Sequence, residues 1–304
     1  MAPADRVTFY LEDSLRISAV AGNHNFIRKV VTVLEDSGMT VAFRPNSGPA
    51  RLASGLRGGY AMFHMDQPLH ERALTMRRVY HYPFWQIEPT TERWHWHVAK
   101  TGFAKGDVDP VEARRFRHHW RKRLFPEAEQ TRRDGFVYVP LQGRLTERRS
   151  FQTASPVDML RAVLRHDPDR MIVATFHPRE TYSDAERQAI HDLAEAHPRL
   201  SVKTGAMDQL LPLCDYVVTQ NSSAAFNALF FDKPIILFAR ADFHHAAANV
   251  DALGEAEAFH LAQNLAPDHA AYLWWFWQKM AINAGRPEAE DQIRTSLQRA
   301  GWPV

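Results

Sequence analysis

Short apolar runs alternate with helically spaced apolar positions along most of this chain, and the alternation is sharpest in its second half. Residues 136–141, 171–175, 200–202, 216–218 and 235–238 are short apolar runs rich in Val, Ile and aromatic residues. Runs of that length without polar alternation predict strands buried on both faces. Between them, residues 156–164, 184–196 and 224–230 read as helices. This alternation predicts a parallel sheet covered by helices on both sides. In the first half, residues 16–20 read as a buried strand and 26–34 as a helix, joined by the turn Gly22-Asn23-His24-Asn25 with its capping residues. Residues 39–43 and 60–65 give two more strands, and 46–59, rich in Gly, Ser and Arg, reads as a loop. Residues 79–87 and 94–98 are aromatic and fit neither period. A basic helix over 112–123 is followed by a polar stretch at 126–135, and the change in composition there divides the chain into domains of residues 1–130 and 131–304. No internal repeat or low-complexity segment interrupts the pattern.

Composition changes this picture little. The chain has 304 residues, enough for two domains that each bury a core. Its net charge of +2, with acidic and basic residues interleaved, argues against a nucleic-acid partner. A lone cysteine, Cys214, excludes an internal disulfide and suits a reducing compartment. No basic-then-apolar segment opens the sequence, and no apolar run reaches the roughly 20 residues that span a bilayer, so a cytoplasmic protein is expected.

The polar residues that follow the strands carry the candidate chemistry, because ligands of parallel sheets bind beyond the strand C-termini. Gln142 follows the strand at 136–141, and its amide both donates and accepts. His177-Pro178 ends the next strand; proline stops the strand, and the imidazole can donate to a phosphate oxygen. Gln220-Asn221-Ser222-Ser223 lies where the strand at 216–218 gives way to a helix, a place with free backbone N–H groups and hydroxyls for a phosphate. Arg179 adjoins the His-Pro pair. The candidate donor site is therefore Gln142, His177, Pro178, Arg179, Gln220, Asn221, Ser222 and Ser223. For a catalytic base, His24 and Asp66 stand at suitable ends of strands. His95 and His97 would share one face of a strand, but no Cys or carboxylate completes a metal set by spacing, and no metal or other cofactor is expected.

Two further segments bear on partners. Trp274-Trp275-Phe276-Trp277 falls within a helix expected over 268–284, and four consecutive aromatics cover most of a helix circumference. They pack at a domain seam or, in the alternative reading, meet a membrane interface at the inner face of the cytoplasmic membrane. The basic helix with Arg114, Arg115, Arg121, Lys122 and Arg123 would add attraction to anionic lipid.

The second domain resembles a known group. Val139-Pro140-Leu141-Gln142, Ser155-Pro156, Met159-Leu160, His177-Pro178, Asn221-Ser222-Ser223, Ala228-Leu229, Lys233-Pro234 and Ala239-Arg240-Ala241 occur in the order found in capsule polysaccharide biosynthesis proteins of the Kdo-transferase type. The resemblance implies a GT-B architecture: an α/β fold of two Rossmann-like domains with parallel sheets facing across a cleft, the acceptor domain first and the nucleotide-donor domain second, with C-terminal helices at the seam. It also implies a glycosyltransferase that uses a nucleotide-sugar, CMP-activated and Kdo-like, as co-substrate. The acceptor would be a capsular or surface polysaccharide or its lipid-linked primer. Departures are Thr175-Phe176, where the family often has a Lys before His-Pro, and Asn227, where many GT-B enzymes place a ribose-gripping acid. Residues 215–238 are also similar to teichoic-acid enzymes that transfer CDP-activated polyols, and a non-catalytic scaffold on the same fold is the third reading.

Overall fold

The computed structural model describes residues 5–304. In chain order the elements are β1 (Arg6–Leu11), α1 (Asp13–Val20), α2 (Asn25–Asp36), β2 (Thr40–Pro45), β3 (Tyr60–His64), β4 (Ala73–Arg78), β5 (Phe84–Glu88) and α3 (Pro110–Leu124). There follow β6 (Phe136–Pro140), α4 (Pro156–His166), β7 (Met171–Phe176), α5 (Asp184–Ala196), β8 (Leu200–Thr204), β9 (Tyr216–Thr219) and α6 (Ser223–Ala228). The chain ends with β10 (Ile235–Leu237), β11 (Ala248–Asn249), α7 (Glu255–Asn264), α8 (Ala270–Trp274), β12 (Ile282–Asn283) and α9 (Ala289–Arg299). Contacts group these into two units, one holding the described residues up to Thr101 together with Phe276–Val304, the other Gly102–Trp275.

The first unit has the strand order β12-β5-β4-β3-β1-β2. Strands β1 to β4 run parallel, β5 is antiparallel to β4, and β12 antiparallel to β5. Val7, Phe9 and Leu11 of β1 face Phe26, Ile27, Val30 and Leu34 of α2, with Ile293 and Leu297 of α9 in the same core. The strand expected at 16–20 is instead part of α1, and the true first strand precedes it. Ile17 and Val20, 64% and 62% exposed, are surface residues whose apolar character imitates a buried run. Residues 46–59, read as a loop, hold short helical turns at Gly48–Leu52 and Ala53–Leu56, the first capped by Ser47. Residues 94–98 form turns, Arg93–His95 and His97–Lys100, so His95 and His97 share no strand face.

The second unit is a wholly parallel sheet in the order β11-β10-β9-β6-β7-β8; β6 to β10 and the helices among them fall where the apolar pattern puts them, while β11 and α7 are not among the expected elements. Its near edge is stapled by charge. Arg170 reaches Asp167 Oδ2 at 2.9 Å and Asp215 Oδ2 at 2.7 Å, and the Tyr216 hydroxyl donates to Asp167 at 2.6 Å. Burial alone would raise Asp167, but the Tyr216 and Arg170 contacts outweigh it and hold the carboxyl below the usual range.

Residues 126–135 are exposed as their polarity demands, yet the division between units lies earlier, at Thr101 and Gly102. The reason is α3. Asp109 caps it, Trp120 is buried, and the Phe125 ring lies 5.1 Å from Phe231 and 5.8 Å from Phe230, so the basic helix belongs to the second unit. The helix expected over 268–284 is also cut short: α8 ends at Trp274, a π-helical turn follows over Trp275–Lys279, and the chain then becomes β12. Trp275 packs with Phe103 and Tyr272 of the second unit, whereas Trp277 stacks on Phe84 of the first at 4.3 Å.

Two stability predictions follow from buried charge. Removing one member of a buried ionic network strands the others, so Arg170→Ala should lower unfolding stability by about 3 kcal/mol at neutral pH, measured by urea denaturation. Glu88, 4% exposed, accepts the His97 N–H, and burial pushes its carboxyl up to about 7. The folded state thus holds a proton that the unfolded state releases above the ordinary carboxylate range. Stability from this group is full below about pH 4.5 and falls by about 3 kcal/mol as the pH rises through 7. Glu88→Gln, which keeps an acceptor for His97, should flatten that fall and be the more stable protein at pH 8.

Candidate functional site at the strand C-termini

Winding in the second unit proceeds from β6 outward to β7 and β8, then returns to the other side of β6 for β9, β10 and β11. The reversal falls between β6 and β9, where the loops leave in opposite directions and open a crevice. Gln142 and Asn221 meet there: the Asn221 N–H donates to Gln142 Oε1 at 3.2 Å. That bond occupies the Gln142 oxygen, and its amide NH2 has no hydrogen-bond partner among the described residues. Asn221 in turn donates through Nδ2 to the Arg240 carbonyl at 3.0 Å, tying the loop after β9 to that after β10. Thr219 Oγ1 donates to the Pro140 carbonyl at 2.9 Å and holds the two strand ends together.

His177 stands at the end of β7, next to β6, and is exposed. The Arg179 N–H donates to its Nδ1 at 3.2 Å. A backbone N–H can only donate, so Nδ1 is the acceptor nitrogen and Nε2 carries the hydrogen. The ring therefore offers an N–H outward, as a phosphate oxygen requires. The backbone of His177 is anchored by donation to the Tyr182 hydroxyl at 3.0 Å.

The other predicted residues divide. Pro178, Arg179 and Ser223 are exposed at the strand ends. Ser222 is buried and accepts the Ala224 N–H at 3.2 Å, acting as the cap of α6. Gln220 is fully buried, and its Nε2 donates to the Ala154 carbonyl at 3.1 Å. It shapes the turn from inside. Asn227 is 5% exposed with Nδ2 against Met207 Sδ, so that position faces the protein interior.

Two groups escape the sequence reading. Glu180 accepts the Gly143 N–H, and Glu186 accepts the Leu145 N–H at 2.6 Å, so two acids of the loop and helix after β7 hold the loop after β6. Arg149 is half-buried beside them: a Cβ placed on Gly143 would meet Arg149 Nη1 at 3.8 Å and Glu180 Oε2 at 3.7 Å. Its buried Nε has no hydrogen-bond partner among the described residues. Burial draws this guanidinium below the usual arginine range, opposed by Glu180. The only signal in the sequence was the Arg148-Arg149 pair in the loop between β6 and α4, one basic pair among several.

In the first unit, His24 and His64 flank one indole, with ring centroids 5.6 and 6.3 Å from that of Trp85. His24 Nδ1 accepts the Ile27 N–H at 3.2 Å as the cap of α2, so its Nε2 likewise carries a hydrogen. Neutral His24 is a donor, and taking up a proton would cost it the cap. Asp66 is held by Arg51 at 2.9 Å and by Asn46 Nδ2 at 2.5 Å. His64, the last residue of β3, has no hydrogen-bond partner among the described residues. Burial lowers both histidines, with Glu12 and Asp66 opposing the effect at His64 and His24 and Arg77 adding to it, so both are neutral at pH 7. Among the described residues no group of three or more metal-ligating side chains is assembled. Trp275, Phe276 and Trp277 are at most 2% exposed, which removes them from any membrane interface. No helix among the described residues is long and apolar enough to cross a membrane.

Among solved structures, the chain is similar to the KpsC beta Kdo 2,7 transferase of Thermosulfurimonas dismutans, at 14% identity and TM-score 0.48 over 81% of this chain and 83% of that one. The beta Kdo 2,4 transferase of KpsC from the same organism matches at 12% identity and TM-score 0.45, over 88% and 89%. The wall teichoic acid polymerase TagF, as its H548A variant, matches at 10% identity and TM-score 0.30, over 98% and 90%. A search of curated proteins finds no match. The sequence profile of the capsule polysaccharide biosynthesis proteins covers residues 102–286, well over half the chain and the whole of the crevice described above, and the protein belongs to that family.

Proposed function

We propose that the protein is a glycosyltransferase that takes a sugar from a nucleotide donor, CMP-activated and Kdo-like, and passes it to a surface polysaccharide or its lipid-linked primer. The observation that carries this reading is the Gln142–Asn221 bond at the strand ends where the winding reverses, with the His177 Nε2–H at the end of the neighbouring strand and Arg149 beside the loop after β6. Among the described residues no acceptor is bonded to the His177 Nε2–H or to the Gln142 NH2. Transfer places negative charge on the leaving nucleotide phosphate, and fixed donors stabilise that charge without reorganising at the moment of reaction. Arg149 adds a planar cation suited to phosphate geometry. Ser223 and the Asn221 turn line the same crevice. These groups supply the stabilisation that a metal ion would otherwise give.

The first unit is assigned the acceptor. Of its candidates, His64 suits a proton acceptor best: it is neutral at pH 7 and its ring nitrogens are unengaged, whereas His24 offers an N–H and Asp66 is paired. In the transfer the acceptor hydroxyl gives its proton to a base while its oxygen bonds to the anomeric carbon. The bond from that carbon to the leaving oxygen breaks, with its electron pair going to the nucleotide. A cytoplasmic site supplies the nucleotide-sugar.

Thermal unfolding in the presence of CMP, CDP, UDP and GDP tests the donor reading. A nucleotide at a hundred times its Kd should add about 2.7 kcal/mol of stability, a rise of a few degrees in Tm. CMP should give the largest rise; a larger one with CDP would favour the polyol-phosphate reading, and no rise with any of the four would refute the enzyme. His177→Ala should abolish the CMP rise. Arg149→Met, which keeps the apolar stem, should weaken CMP binding by at least tenfold in calorimetry while leaving the unliganded Tm within a few degrees.

A further inference from the structure

The helix α3 carries a charge pattern that its own packing leaves unused. Its inward side is engaged: Ala113 and Trp120 are buried, Arg117 pairs with Asp232 and with Asp268 at 3.5 Å, and Arg121 lies over the Phe231 ring at 4.9 Å. The outward side is open at positions 111, 112, 114, 115, 118, 119, 122 and 123. From 114 onward every one of these is Arg, His or Lys. Among the described residues no carboxylate lies within ion-pair distance of Arg114, Arg115, Lys122 or Arg123. The whole chain carries only +2, so four cations without a carboxylate partner along about 14 Å of one helix are a local concentration, although Arg123 lies over the Trp120 ring at 5.4 Å. Val111, 65% exposed, continues the stripe formed by Arg115, His118 and Lys122 at spacings of four, three and four.

We infer that the outer face of α3 is a docking surface for an anionic lipid bilayer, with Arg114, Arg115, Lys122 and Arg123 among the phosphates and Val111 at headgroup level. The surface is the convex outside of a helix whose register is fixed by its cap, by Trp120 and by the Arg117 pair. It presents positive charges in a row, with no carboxylate after Glu112 to accept from sugar hydroxyls. A glycan's hydroxyls need such acceptors. A bilayer supplies laterally mobile phosphates that need only charge, and each basic residue held near it strengthens partition about fivefold. The inference concerns a surface separate from the donor crevice and is read without nucleotide, so it stands or falls apart from the proposed reaction.

Flotation of the full chain with vesicles tests it. The protein should float with phosphatidylcholine vesicles that contain phosphatidylglycerol, remain behind with phosphatidylcholine alone, and be released by high salt. Arg115→Glu with Lys122→Glu should reduce binding by well over tenfold. Arg44→Glu with Lys203→Glu, the same change of charge at exposed residues of β2 and β8, should leave it within twofold. The neutral pair Arg114→Gln and Arg123→Gln, which disturbs folding least, should give an intermediate loss. Failure of the natural chain to float with the mixed vesicles, or equal loss in the β2 and β8 pair, overturns the inference. So does a stripe variant that keeps vesicle binding but loses binding to heparin, which would assign the face to a polyanionic chain.

Discussion

The reversal of winding between β6 and β9 is the constraint on which the rest of the second unit depends. Crossovers between parallel strands are right-handed, so a chain that adds β7 and β8 on one side of β6 and then β9 and β10 on the other must send its loops to opposite faces. Where they part, two adjacent strands end with no helix above them. Backbone N–H groups there cannot be satisfied by the sheet. One of them, at Asn221, is satisfied by Gln142, and this single bond makes the floor of the crevice a polar surface that needs no further burial cost. The opposite edge of the sheet shows the alternative treatment of charge. Asp167, Arg170, Asp215 and Tyr216 bond to one another, with Gly135 and Gln263 completing the carboxylates. One edge is closed by its polar groups and the other is left open by them.

The same backbone logic decides what each histidine can do. In His177 and in His24 an amide N–H donates to Nδ1, which leaves the hydrogen on Nε2. At His177 this supports the role that its position after a strand implies, because a phosphate oxygen wants a donor. At His24 it works against a role as base. A sequence shows that a histidine follows a strand, but the tautomer depends on a peptide group two or three residues later being turned toward the ring. His64 lacks such an amide, and it ends a strand whose preceding residues are plain core, so nothing in its local sequence distinguishes it from a satisfied core histidine.

Much of the second unit was legible because its signals are local. A parallel strand buried on both faces is a continuous apolar run, and β6, β7, β9 and β10 each carry one, while the edge strand β8 does not. The helices between them have caps such as Ser155 and Ser183 at the expected places. The first unit was less so. Strand β1 breaks its apolar residues with Arg6 and Thr8, while the exposed Ile17 and Val20 of α1 imitate a buried run. The boundary between units was misplaced because composition reports exposure, and residues 126–135 are an exposed loop within a unit. What joins α3 to the second unit is the burial of Trp120 and Phe125, contacts with residues more than a hundred positions away. The contents of the crevice followed the same division: Gln142, His177 and Asn221 were marked by the strands they follow, while Arg149 was hidden in a loop of several arginines.

The run Trp274-Trp275-Phe276-Trp277 and the helix α3 show why exposure must be settled before chemistry is argued. By composition the aromatic run is the better membrane element, since tryptophan favours the interface. The π-helical turn at Trp275–Lys279 changes the angular step between successive side chains, and rings that a regular helix would spread around its circumference are instead delivered to two cores, one holding Phe103 and Tyr272, the other Phe84. Helix α3 is regular, so its 3.6-residue period sorts its side chains: Trp120 and the paired Arg117 fall inside, and the cations without a carboxylate partner fall outside. A basic stretch of low apolar content thus becomes the membrane-facing candidate, and the aromatic stretch becomes core. The sorting is done by helical geometry, and the residues alone, counted without it, point the other way.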